Sequence, residues 1–74
     1  MIHSSPQLQS DLERHILART GRRLRNLAVE LVPEAVILHG SATTYYVKQL
    51  AQTGVRDVLP QVRLENAIVV EGNN

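Results

Sequence analysis

Leu8, Leu12 and Ile16 recur at steps of four, and the aliphatic stem of Arg19 follows three positions later. That spacing predicts an amphipathic helix of about four turns. Ser5-Pro6 supplies its start, because Ser caps free amides and Pro at the first helical position gives up no hydrogen bond. Gly21 supplies its end, since glycine takes the left-handed conformation without a Cβ penalty. Arg22 to Asn26 then forms a basic connector in which Leu24 is expected to turn inward.

From Leu27 the period changes to two. Leu27, Val29 and Leu31 alternate with Ala28, Glu30 and Val32, which predicts a strand with one buried face. Pro33-Glu34 interrupts it as a turn. Val36, Leu38 and Gly40 form one face of a second strand, and Ala35, Ile37 and His39 form the other. Two strands joined by so short a loop predict a hairpin. Ser41 or Thr43 is expected to cap a second helix, whose apolar stripe is Val47, Leu50, Ala51, Gly54, Val55 and Val58. Gly54 costs helix propensity, and a close approach to the sheet or to the other helix would compensate. Leu59-Pro60 stops this helix. Val62, Leu64, Asn66, Ile68 and Val70 alternate as a third strand, and Gly72-Asn73-Asn74 is expected to fray. The predicted fold class is α+β: a two-layer αββαβ sandwich, a three-stranded sheet with two helices on one face. The expected core is Leu12, Ile16, Leu27, Val29, Leu31, Val36, Leu38, Val47, Leu50, Ala51, Val55, Val58, Val62, Leu64, Ile68 and Val70.

Composition narrows the possibilities. The chain has 74 residues, enough for one domain, ordered over about residues 6–71. A chain this short buries only about 60% of its unfolded surface, so modest stability is expected. With no cysteine, Phe or Trp, disulfides and thiolate metal sites are excluded and the core must be aliphatic. The net charge of +1 is too small to imply a polyanionic partner by itself. No segment approaches the length of a membrane-spanning helix, and the N-terminus lacks the pattern of an export signal, so a cytoplasmic location is expected.

Three segments together carry a family resemblance. Val36-Ile37-Leu38-His39-Gly40 has the form apolar-x-apolar-x-Gly, Tyr46-Val47-Lys48-Gln49-Leu50-Ala51 opens the second helix, and Asn66-Ala67-Ile68-Val69-Val70 closes the chain with an asparagine-containing strand. In these segments, and in element order over roughly residues 8–71, the chain resembles the BON domain, a bacterial module named for osmotic-shock and nodulation proteins. It departs from that pattern at two turns. Pro33-Glu34 stands where the family has an acidic residue and glycine, and Leu59-Pro60-Gln61 where it has glycine-valine. The resemblance implies binding of phospholipid or other macromolecules without catalysis.

The residues themselves favour binding over chemistry. His3, His15 and His39 have no metal-ligand spacing. Ser41, Thr43 and Thr44 lie near His39, but helix capping accounts for them. No catalytic residue, metal or cofactor is expected. Arg19, Arg22, Arg23 and Arg25 straddle the end of the first helix. They satisfy the preference of helix C-termini for cations, or form a patch for anionic phospholipid, where each basic group can gain about 1 kcal/mol. Nucleic acid finds little support, since no Gly-x-x-Gly clamp is present and no aromatic stands on a strand. Tyr45 and Tyr46 sit at a helix start, and Tyr46 is expected to pack on the core edge. The sheet's second face is uncovered in this topology. There Val32, Ile37, His39, Arg63, Ala67 and Val69, with Ala28, Ala35, Glu30, Glu65 and Glu71, reflect ordinary strand preferences or form a contact for a protein partner or a second copy.

Overall fold

The computed structural model describes residues 6–71. The elements follow in the order α1 (Pro6–Thr20), a single 3-10 turn (Gly21–Arg23), β1 (Leu24–Val32), β2 (Ala35–Ala42), α2 (Tyr45–Val58), β3 (Arg63–Asn66) and β4 (Val69–Val70). The cap expected at Ser5, His3 and the Gly72–Asn74 tail lie outside the described residues.

Two helices and a four-stranded mixed sheet make a compact α+β fold. β2 is central. It pairs antiparallel with β1 on one side and parallel with β3 and β4 on the other. The expected third strand is thus two short ones. Leu38 faces Asn66 and Ser41 faces Val69, the same offset, so β3 and β4 occupy one position and the sheet is three strands wide. The break falls at Ala67-Ile68, beside an inward-facing Asn66. The Ala67 N–H still donates to Leu38 O at 2.9 Å. The Ile68 N–H points to the outer edge and is taken by Asn66 Oδ1 at 3.2 Å.

Both helices cover one face of the sheet. Leu12 and Ile16 of α1 and Val47, Ala51 and Val55 of α2 cluster with Val29, Val36, Leu38, Ala42 and Ile68 of the sheet. Leu27, Leu31, Val58, Val62 and Leu64 pack around this cluster half-buried, and Leu50 and Val70 are also half-buried. Leu24 and Ala42 are buried as well, so the second strand runs further than Gly40 and the basic connector ends at Arg23. The inward position at the end of α1 belongs to Thr20 rather than to the Arg19 stem. Thr20 is buried, and its hydroxyl donates to Ile16 O at 2.9 Å, which satisfies it within the helix.

The longer β2 moves the helix cap. Thr44, not Ser41 or Thr43, is the N-cap of α2, extended in backbone and accepting from the Val47 N–H through Oγ1 at 3.2 Å. Ser41 is still paired in the sheet opposite Arg25 and Val69. The Thr43 N–H donates to Arg23 O at 3.2 Å.

Two tight contacts fix the assembly. The β1–β2 register slips by one between Arg25 and Ala28. There Asn26 takes φ 56°, the left-handed bulge conformation that asparagine tolerates better than most residues. Gly40 lies against this bulge, and a Cβ there would meet Arg25 O at 2.9 Å. Gly54 of α2 lies against α1, where a Cβ would meet the Ile16 Cα at 2.7 Å. Of the two approaches open to Gly54, the fold uses helix on helix.

Candidate functional site

The second face of the sheet carries nothing from the described residues. Its rows follow from the strand registers. Val32, Ala35 and Arg63 form one row, and Glu30, Ile37 and Glu65 the next. Ala28, His39 and Ala67 follow, then Arg25, Ser41 and Val69. Every residue expected on this face except Glu71, which follows the end of β4, has a place in these rows, and Arg25 and Ser41 join them. Ile37, Val32 and Ala35 are half-buried by their neighbours, while His39, Arg63, Ala67 and Val69 are exposed. Val69, at 60% exposure, is the most open of its large apolar side chains. His39 Nε2 lies 3.0 Å from Glu30 Oε1, a diagonal pair between β2 and β1. A carboxylate thus stands on either side of Ile37, with an imidazole one row away.

Each edge of the sheet carries one side-chain amide contact to its backbone. Gln9 of α1 donates from Nε2 to Val29 O of the edge strand β1 at 3.0 Å. On the opposite edge Asn66 takes the Ile68 N–H and donates to Lys48 O at 2.9 Å and Gln52 Oε1 at 3.3 Å, tying the break to α2. Unpaired strand edges invite pairing with other chains, and a side-chain amide satisfies one backbone group on each edge here.

The arginines do not act as one group. Arg19 crosses to α2 and holds Asp57 bidentately, Nε to Oδ2 at 2.7 Å and Nη2 to Oδ1 at 2.9 Å. Planar two-bond pairing of this kind suits guanidinium and carboxylate geometry. His15 Nδ1 stands 3.8 Å from the same carboxylate. The hydrogen bond from Arg19 holds the Asp57 carboxyl below its ordinary range, with charge from Arg19 and His15 adding to the effect and desolvation opposing it. Arg23 donates from Nε to Thr20 O at 3.2 Å. Arg22 and Arg25 are exposed and form no ion pair among the described residues. Arg19 is thereby removed from the expected anion-binding set of four.

Tyr45 and Tyr46 are both exposed, at 62% each. Tyr46 does not pack on the core edge. The inward positions of the first turns of α2 are filled by Val47, Leu50 and Ala51, and Tyr46 lies off that stripe.

Among the described residues, no group of three or more His, Cys, Asp or Glu side chains is placed to hold a metal ion. None of the described helices is long and apolar enough to cross a membrane. Compared with known protein families, curated proteins and solved structures, the chain matches none.

Proposed function

We propose that this chain is a non-catalytic binding module whose contact is the uncovered face of the sheet, and that the occupant is a different protein. The supporting observation is the row Glu30–Ile37–Glu65 with Val69 exposed beyond it. An apolar centre between two carboxylates fits a partner that presents an apolar side chain flanked by Lys or Arg. The resemblance to the BON domain agrees with such a role.

Like charge favours a different protein over a second copy, since a two-fold pairing centred on Ile37 would set Glu30 and Glu65 against the carboxylates of the other copy, and area limits how lasting either contact can be. Three strands at about 4.8 Å spacing and eight residues at about 3.3 Å each give a face of about 400 Å². A stable, specific interface takes about 800 Å² from each side. The face therefore suits a weak, transient contact, and a lasting homodimer built on it alone is disfavoured. The phospholipid alternative loses ground for a separate reason, since Arg19 is committed to Asp57 through both of its hydrogen bonds.

Site-specific photo-crosslinking in the cells that make the protein tests the proposal. A crosslinker at position 37 should give one discrete protein adduct, and one at Glu13 on α1 should not. The accompanying variant is Ile37→Lys rather than Ile37→Glu. Lys pairs with Glu30 and Glu65 across the sheet, whereas Glu would add a third carboxylate to that row. Ile37→Lys should remove the same adduct when the probe is moved to position 69. Equal labelling from positions 37 and 13, or an adduct indifferent to Ile37→Lys, would refute the proposal.

A further inference from the structure

One end of the molecule gathers groups that lie about twenty residues apart in the chain, and it adjoins the face proposed above, sharing the Arg25–Ser41–Val69 row with it. The Thr43 N–H bonds to Arg23 O at 3.2 Å, and Arg25 pairs with Ser41. The chain then turns at Thr44 into Tyr45 and Tyr46, each 62% exposed. Three arginines thus share one end with two open phenol rings. The first turn of α2 holds no acidic residue. Lys48 adds a half-buried cation. The acid at this end is Glu71, whose N–H bonds to Ala42 O at 2.9 Å.

The geometry points to a binding surface for single-stranded nucleic acid, with Arg22, Arg23 and Arg25 toward phosphates and Tyr45 and Tyr46 under bases. Strands of any sequence are held in this way elsewhere, by cations tracking the backbone and aromatic rings stacking on bases. Two features favour this ligand over a membrane. Consecutive helical positions diverge by about 100°, so the two rings form separate platforms instead of one insertion plane. Seating on a bilayer also calls for a broad apolar face, and the other exposed large apolar side chain placed here is Val69. The missing strand aromatics matter less once the rings are supplied by the start of α2.

Fluorescence anisotropy of a labelled oligothymidylate against the full chain tests this, with duplex DNA and phosphatidylglycerol vesicles as parallel probes. Binding at low salt is expected to fall with a log–log slope of about −2, since each of three phosphate contacts contributes about −0.7. Tyr45→Ala and Tyr46→Ala should each weaken it about fivefold or more, while Tyr45→Phe retains it. Arg23→Gln with Arg25→Gln should reduce the slope to about −0.7. All four side chains are exposed, and circular dichroism verifies that the variants stay folded. No binding at low salt, binding indifferent to both tyrosines, or preference for the duplex or the vesicles would each overturn the inference.

Discussion

Replacing Gly54 with alanine separates helix propensity from packing. In an exposed helix the change stabilises by about 1 kcal/mol. Here the new methyl would stand 2.7 Å from the Ile16 Cα, 3.0 Å from the Ile16 N and 3.1 Å from His15 O. All three are backbone atoms, so no side-chain rotation relieves the clash. α1 must retreat by about 0.7 Å to bring the closest contact to 3.4 Å. A gap of that size forfeits a quarter to a half of the dispersion well for atoms across the seam, which is lined by Leu12, Ile16, Ala51 and Val55. Overpacking costs about 1–3 kcal/mol. A backbone clash belongs at the upper end, so after the propensity gain the net loss is about 2 kcal/mol. For a domain this small that lowers Tm by about 8–16 °C. Thermal unfolding followed by circular dichroism measures it, with exposed Thr53→Ala on the same helix as the propensity control. A Gly54→Ala protein as stable as the parent would refute the helix-on-helix contact.

Three further outcomes follow from single positions. Thr44→Ala removes the cap of α2 and should cost about 1 kcal/mol in urea unfolding, whereas Thr43→Ala should cost much less. Glu34 holds φ 75° after Pro33, the dihedral sense a type II turn gives to glycine, so Glu34→Gly should raise stability by up to about 1 kcal/mol, relief of strain outweighing added chain entropy. The Asp57 carboxyl is held below its ordinary range by Arg19, so its contribution is fully present above about pH 5 and is lost as pH falls through the lowered value. Stability measured from neutral to acid pH should therefore fall less steeply in Asp57→Asn than in the parent.

The sheet and both helices are legible in the sequence because aliphatic residues recur with clear periods and Pro6, Gly21 and Pro60 punctuate them. What escapes has physical reasons. The bulge has a signal in retrospect. Leu24 and Leu27 both turn inward although three apart, an odd step that a regular strand forbids, with Asn26 between them to take the positive φ. The end of β2 is concealed by Ala42, too small to mark an inward position, so the helix cap is read too early. The break between β3 and β4 is announced by Asn66, a polar residue at an inward position. The Arg19–Asp57 pair leaves no local signal, since the partners lie 38 residues apart. Alternation alone gives the exposed positions of β2 as far as His39, whereas Arg25 and Ser41 join that face only through the bulge and the full length of β2. The gathering of arginines and tyrosines becomes visible only when β1 and β2 are paired.

One side of the sheet is packed by both helices and the other is left uncovered by the described residues. Val36 and Ile37 are neighbours on β2 that point to opposite sides, and Val36 is wholly buried. Urea unfolding of Val36→Lys and Ile37→Lys compares the two sides directly. Val36→Lys should fail to fold or lose several kcal/mol, because it drives an ammonium into an apolar core, while Ile37→Lys should stay within about 1 kcal/mol of the parent. Comparable losses at both positions would show that both sides of the sheet are covered, leaving no face to offer a partner.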